Sequence, residues 1–348
     1  MKIAVVLYNL GGPDKIEDVQ PFLFNLFYDP MIIGVPTPLR WLLAKIISRR
    51  RAPIAKEIYK YLGGGSPLLE NTRKQAEALE LELKTQGDNE FRVFVAMRYW
   101  HPTAYEVALK IKSYRPDQII LMPLYPQYST TTVGSFLNVW RKVVKRVDLD
   151  CITKSICCYP REQGFISPIS EFIKSSLKNI GEDQKTRILF SAHGLPKKIV
   201  DKGDPYQWQV EQSAQAIVED ISIDGLDWVN CYQSRVGPLE WIGPSTEEEI
   251  KRAGREKLAV IVVPLAFVSE HSETLVELDI EYKLIADKAN VIEYTRAPTV
   301  SLDKKFIKSL AKIVLLSLSN TGGICSGSPG QLCPKRWKKC PASQAQVF

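Results

Sequence analysis

Short β-branched runs and longer amphipathic stretches alternate along the whole chain, and this alternation limits the fold more than any other feature. KIAVVLYNL, FRVFVAMRYW and DQIILMPLYP serve the first half; TRILFSAHGLP, WVNCYQS and KLAVIVVPLAF serve the second. Strands separated by helices pair in parallel through crossover connections, so the pattern predicts an α/β protein. Among the helical stretches is PLLENTRKQAEALELELKT, with Ser66 as its cap and Pro67 in its first turn. The halves echo one another. LYNLGGP and FSAHGLP each end a strand in a Gly and Pro turn, and ILMPLYPQYS and VIVVPLAFVSE follow later. The echo predicts two similar domains, residues 1–148 and 149–302, with a C-terminal helix at 303–318 joining the first. The Cys-containing tail, 319–348, reads as an appendage.

At 348 residues, with 45% hydrophobic and 24% charged residues, the chain can bury a large core. A formal charge of +7 without a long basic stripe disfavours nucleic acid as a partner. The first apolar run meets Gly11, Gly12 and Pro13 too early for a signal peptide and reads as a buried strand. MIIGVPTPLRWLLAKIISRRR is broken by Pro36, Pro38, Arg40 and Lys45, whereas a membrane span needs about 20 mostly apolar residues. Its Leu39, Leu42, Leu43, Ile46 and Ile47 share one helical face. That face either packs on the core or, with the basic end, rests on anionic lipid or holds a carboxylated ligand. Seven cysteines without an export signal point to a reducing cytoplasm, with thiols free or bound to metal.

Open parallel sheets bind ligands outside the carboxyl ends of their strands, and two of the chain's three histidines stand there. His193 ends one strand of the second half and His271 follows another. Glu270, Glu273, Glu277 and Glu281 then succeed one another at helical steps and form an acidic ridge. On a free surface such a ridge is ordinary; in a cleft it attracts cations and relays protons. Imidazole with carboxylate suits a borderline divalent ion such as Fe(II). His101, before a proline in a turn, carries no comparable signal. No Walker loop, G-x-G-x-x-G turn, G-x-S-x-G elbow or H-E-x-x-H helix is present, which disfavours nucleotide and hydride chemistry.

NLGGP, LGGGSP, RYWHPT, PLYPQYS, SAHGLP, GDPY, YQSRVGPLEWIGPST and HSETLVELDIEY together resemble the ferrochelatases of bacterial type over nearly the whole chain. Those enzymes insert Fe(II) into protoporphyrin IX in the last step of haem synthesis. The resemblance implies two Rossmann-like, class I chelatase-like domains with the active-site cleft between them. It implies His193 and Glu273 as the iron-site and catalytic pair, with His271, Glu277 and Glu281 extending a proton or metal path. It implies that Leu10, Arg51, Tyr59, Ser66, Arg98, Tyr99, Ser234 and Trp241 line the porphyrin pocket, Arg51 pairing with a propionate. The apolar segment ahead of Arg51 becomes the lip of the cleft, able to touch the inner face of the membrane. No cofactor is required, and Fe(II) is a substrate.

Some ferrochelatases carry a 2Fe-2S cluster on three tail cysteines and one from the body, and this tail offers Cys325, Cys333 and Cys340. The place after YPQYS that supplies the body cysteine in one group is Thr130 here. A fourth ligand would come from Cys151, Cys157, Cys158 or Cys231; free thiols or a zinc knot are the alternatives. Two other functions stand beside iron insertion: a cobalt chelatase of tetrapyrrole synthesis, and a carrier of haem or metal without turnover. The sequence leaves open the oligomeric state, the choice between protoporphyrin and coproporphyrin, and whether His193 is base or ligand.

Overall fold

The computed structural model describes the chain except residues 182, 236, 321–322, 328–331 and 345–348. In chain order the first half comprises β1 (Lys2–Asn9), α1 (Val19–Phe27), α2 (Thr37–Tyr61), α3 (Leu68–Lys84), β2 (Glu90–Met97), α4 (Ala104–Tyr114), β3 (Gln118–Pro123), α5 (Val133–Arg146) and β4 (Ile152–Ile156). The second comprises α6 (Gln163–Ile180), β5 (Thr186–His193), α7 (Lys197–Asp201), α8 (Tyr206–Ile221), β6 (Asp227–Gln233), α9 (Thr246–Arg255) and β7 (Ala259–Pro264). A π-helix (Glu273–Glu281), α10 (Tyr282–Lys288), β8 (Tyr294–Arg296), α11 (Lys304–Ser319) and β9 (Ile324–Cys325) complete it.

The predicted parallel sheets are both present. The first runs β2-β1-β3-β4-β9 and the second β6-β5-β7-β8, so the echo in sequence is an echo in strand order. Every strand pair is parallel, and β1 and β5 are interior strands at matching places in their sheets. Alternate residues of β1 serve two cores, because both faces of a parallel sheet are covered by helices. Ala4, Val6 and Tyr8 pack with α4 and α5 residues such as Phe136 and Trp140. Ile3, Val5 and Leu7 join a cluster that also holds Ile188 and Phe190 of β5, Val263 of β7, and Leu79, Phe165, Val210 and Phe306 from α3, α6, α8 and α11. One shared apolar layer therefore joins the two sheets, and the halves are not separately cored as the repeat suggested. Each fully buried Leu, Ile or Phe in it contributes roughly 1.5–3 kcal/mol.

Polar side chains cross the same seam with their bonds satisfied. Asp204, fully buried, accepts from the Thr130 amide and hydroxyl at 2.7 Å each and from Ser129 Oγ at 3.1 Å. Gln209 accepts from the Tyr128 amide at 2.7 Å, and Gln75 donates to the Val268 and Ser301 carbonyls at 2.8 and 2.9 Å.

Several sequence expectations shift. The first sheet continues past the expected boundary at 148/149, since β4 pairs with β3. Its residues, ITKSI, set three polar side chains between two isoleucines and give no apolar run to read. The tail is more than an appendage: β9 adds a fifth strand beside β4. Helix α3 starts one residue later than expected, with Pro67 as N-cap residue, while Ser66 Oγ still accepts from the Leu68 amide at 3.3 Å. Helix α2 does not bury its apolar face: Leu39, Trp41, Leu42 and Ile46 are 40–49% exposed. Among the described residues no helix is long and apolar enough to cross a membrane.

Candidate active site

The cleft opens at the carboxyl ends of β1, β3, β5 and β7. It holds about 180 Å³. Small-molecule sites commonly measure about 300–1,000 Å³, so the cleft as it stands is narrow for a macrocycle. A wider, shallower groove of about 660 Å³ runs along the β2 edge between Lys2, Arg92, Lys110 and Tyr114, away from either candidate histidine.

His193 is the last residue of β5, and the turn that aims it depends on Gly194. A Cβ there would stand 2.9 Å from the Gln233 carbonyl oxygen and 3.2 Å from Trp241. His193 Nδ1 lies 2.8 Å from Glu273 Oε2. Burial works to lower the imidazole's pKa, but the charge and bond of Glu273, with Glu277, raise it above the usual 6.5. Burial likewise works to raise Glu273, yet His193, His271 and Ser234 overcome it and hold the carboxyl down to about 2. An ionised carboxylate only accepts, so Nδ1 carries the hydrogen and Nε2 is left to the cavity. The His193 side chain is 44% accessible and lines that cavity.

The ridge is real and differs from the expected one. Its helix has π turns over Glu273–Glu281, a rare form that is frequent at functional sites. Glu273, Glu277 and Glu281 stay on one side, because four residues are close to a turn. Glu270 leaves the ridge: it precedes the helix and pairs with Arg296 at 2.7 Å and the Thr299 amide at 2.8 Å. Glu277 accepts from Gln233 Nε2 at 3.1 Å, the Ser234 amide at 2.9 Å, Ser234 Oγ at 2.5 Å and Tyr282 OH at 3.1 Å. Burial and then Glu273 raise its pKa. Ser234, held at φ 59° in the left-handed region, also reaches Glu273 Oε2 at 3.4 Å and so stands between two carboxylates. Glu281 is exposed at the outer end.

His271 lines the cavity and is buried, its ring edge-on to Phe267 at 4.5 Å between centroids. Burial pushes its pKa down, and Nδ1 donates to the Ser269 carbonyl at 3.2 Å, which leaves its Nε2 as acceptor too. His101 pairs with Glu106 on the surface, as its context suggested.

Of the expected porphyrin residues, Leu10 and Tyr99 line the cavity. Tyr59 is buried beneath it, its phenol pushed up to about 12 by burial and bonded to Ser272. Ser66 packs at Gly12, where a Cβ would stand 2.5 Å from its own. Trp241 packs on the Gly194 turn. Arg51 is exposed on α2, its guanidinium 5.9 Å from the Phe27 ring, with no carboxylate partner among the described residues. Arg98 departs from expectation: Asp29 takes its charge at 2.8 Å and Ser135 takes its Nε–H at 2.6 Å. Sequence reasoning passed over Asp29, Asp204 and Tyr206, whose OH donates to the His193 carbonyl at 3.0 Å. The GDPY motif held the last two.

The cysteines gather at the end of β4. Cys157 and Cys158 Sγ are 3.5 Å apart, Cys158 bonds Cys333, and Cys333 bonds Cys340. Gln209 Nε2 donates to Cys333 Sγ at 3.1 Å, and the neighbouring thiols hold Cys333 down at about 4. Cys325 accepts the Cys157 amide on its carbonyl at 2.8 Å, and burial pushes its thiol up to about 11. Cys151 and Cys231 lie elsewhere, bonded to the carbonyls of Pro116 and Phe190. The thiols touch as a chain; among the described residues no three His, Cys, Asp or Glu side chains surround a common point.

A family model described as Ferrochelatase matches residues 2–318. Similar relatives are the ferrochelatase of Pelagibacter ubique (strain HTCC1062), 52% identical over 98% of this chain and 98% of that one, and the ferrochelatase of Hyphomonas neptunium, 48% identical over 99% and 95%. That of Rickettsia bellii is 48% identical over 97% and 94%. Among solved structures, SirB from Bacillus subtilis with Fe3+ covers 92% of this chain and 97% of its own at a TM-score of 0.53 and 12% identity, a likeness of fold.

Proposed function

Because this chain belongs to the ferrochelatase family, we propose that the cleft is where Fe(II) replaces the two pyrrole protons of protoporphyrin IX to give protohaem. The protein is a metal-insertion enzyme whose substrates are a porphyrin and iron. The observation that carries the site assignment is the 2.8 Å bond from His193 Nδ1 to Glu273, which turns a free imidazole nitrogen into the cavity.

His193 Nε2 takes a pyrrole proton as the ring presents it, and the Glu273 carboxylate stabilises the imidazolium. Fe(II) enters as two protons leave, so charge balances. The carboxylate ridge then serves protons more than the cation. Glu277 already accepts four hydrogen bonds, which leaves few lone pairs for a metal, while Ser234 Oγ bridges it to Glu273. The raised pKa of Glu277 suits a group that accepts and passes a proton. Arg51 pairs with a propionate at the mouth, and the exposed Leu39, Trp41, Leu42 and Ile46 rest on the cytoplasmic face of a membrane.

The gathered thiols suit a thiolate-held group, since Gln209 and the neighbouring thiols bond Cys333 and lower its pKa. A bound 2Fe-2S cluster would be held by Cys157 or Cys158 with Cys333, Cys340 and Cys325, and would supply a redox-active iron centre. Iron and sulfide analysis of anaerobically purified protein, with its visible spectrum, tests this; equimolar zinc instead would replace it.

The reaction is tested by mixing the protein anaerobically with Fe(II) and protoporphyrin and following the porphyrin spectrum. Conversion to the haem spectrum is expected. An unchanged spectrum, under conditions where a control chelatase works, would defeat the assignment, and full-rate insertion by His193→Ala would defeat the role given to the histidine.

A further inference from the structure

We propose that Asp29 is a positioning residue for the porphyrin-facing wall of the cleft, acting through Tyr99, Arg98 and Ser135; the proposal rests on the assignment of the cleft to porphyrin. Asp29 is 3% exposed and sits between α1 and the lip. A buried carboxylate is tolerable only where donors surround it, and this one gathers donors from three places. Its Oδ2 accepts from Arg98 Nη2 at 2.8 Å, from Tyr99 OH at 2.7 Å and from Ser135 Oγ of α5. Its Oδ1 accepts the Met31 amide at 2.9 Å, and its carbonyl accepts the amides of Ile32 and Ile33 at 3.0 and 2.9 Å.

Those bonds converge on one wall. Leu26, Ile32 and Tyr99 line the cavity; Ile32 and Tyr99 hydrogen-bond to Asp29, and Leu26 accepts the Asp29 amide at 3.3 Å. Asn25 adds a bond from its Nδ2 to the Tyr99 carbonyl at 3.0 Å. Burial first, and Asp29 next, keep the Tyr99 phenol protonated, so it remains a donor. Arg98 stands behind the wall, its guanidinium 4.5 Å from the Tyr99 ring centre, and its charge is matched there. It therefore leaves propionate recognition to Arg51. The cleft holds only about 180 Å³, so small movements of this wall decide how deeply a flat ring can enter.

The test is Asp29→Asn in the full-length protein, which keeps the size of the side chain and removes its charge. The readouts are porphyrin Kd by fluorescence titration without iron, and steady-state kinetics with iron. Weakening of charge-assisted bonds to the wall is expected to raise porphyrin Kd and KM about tenfold, with kcat within about twofold and the KM for iron unchanged. A folded variant that binds porphyrin like the parent overturns the proposal, and so does a fall in kcat with unchanged KM. Should that variant fail to fold, Tyr99→Phe and Ser135→Ala each remove one donor and leave the Arg98 pair. Each is expected to raise Kd about threefold, and together by less than the product, because both act on one oxygen. Parent-like Kd in all three overturns the proposal. A parent that binds no porphyrin would instead sink the function assigned to the cleft.

Discussion

The two sheets have the same strand order, yet equivalent strand ends present different chemistry to one cleft. Strand β1 ends in Asn9, with Leu10 next, whereas its counterpart β5 ends in His193. Beyond β3 come Tyr125 and Gln127; beyond the matching β7 come Phe267, His271 and Glu273. Burial keeps the phenols of Tyr99 and Tyr125 neutral, and the half-buried Arg98 is matched by Asp29. On the function proposed for the cleft, the first half supplies the wall that grips and the second the titrating groups, so that a scaffold repeated twice would divide the work of holding a ring from that of moving protons. If so, substitutions in the second half should act on kcat, and those in the first on porphyrin KM.

The largest effect is expected at His193. His193→Ala removes the nitrogen proposed to receive the pyrrole proton, and loss of such a base lowers kcat by about 10²–10⁴ while porphyrin Kd stays near that of the parent. Anaerobic stopped-flow absorbance measures both. A comparable loss of kcat on replacing Leu10 or Tyr99 would break the comparison.

Next is Glu273→Gln, which also reads the electrostatics. The base must be neutral to act, and its pKa lies above 6.5, so the parent rate should rise with pH through that raised value. Without the carboxylate's charge, burial is the dominant influence left and pushes His193 below its ordinary value, so the rise moves to lower pH. The orienting bond goes with it, and loss of such a supporting partner typically costs about 10–100-fold. An unmoved midpoint would show that Glu273 does not set the state of His193. The pair also ties stability to pH. The depressed Glu273 contributes stability present above 4.5 and lost as pH falls toward about 2. The raised His193 contributes stability that is full below 6.5 and lost as pH rises through its folded value.

Arg51→Met tests the gripping half. An exposed guanidinium that meets a propionate through charge-assisted bonds is worth about tenfold in KM, with kcat unchanged. Raising salt should weaken the parent's binding in the same direction, because the site is open to solvent. A fall in kcat instead would place Arg51 on the wrong side of the division.

What the sequence made legible follows the same line. Buried parallel strands advertise themselves as apolar runs, so β1, β3, β5 and β7 could be read, and with them the histidines at their ends. Strand β4 could not, since ITKSI is half-exposed and polar at its three central positions. Helical spacing put Glu270 on the ridge, but its partner Arg296 lies 26 residues away and no local rule sees that bond. The π turns were hidden because steps of four fit either helix. Asp29 was hidden because its donors come from positions 69 and 106 residues distant.

The outer end of the ridge gives the smallest expected effect. Glu281 is exposed, whereas Glu277 is held by four donors and Glu273 by His193. If the ridge passes protons outward, its last carboxylate hands them to water, and solvent can take over that step. Glu281→Gln should then change kcat by less than about twofold, since exposed charges far from a partner contribute little. If the ridge instead fed Fe(II) inward, the same substitution would remove the first charge the cation meets. The KM for iron would then rise, most clearly at low salt, where exposed charges are least screened. Titrating iron against this variant at two ionic strengths therefore separates the directions of flow, and a salt-sensitive rise in iron KM would reassign the ridge from protons to the metal.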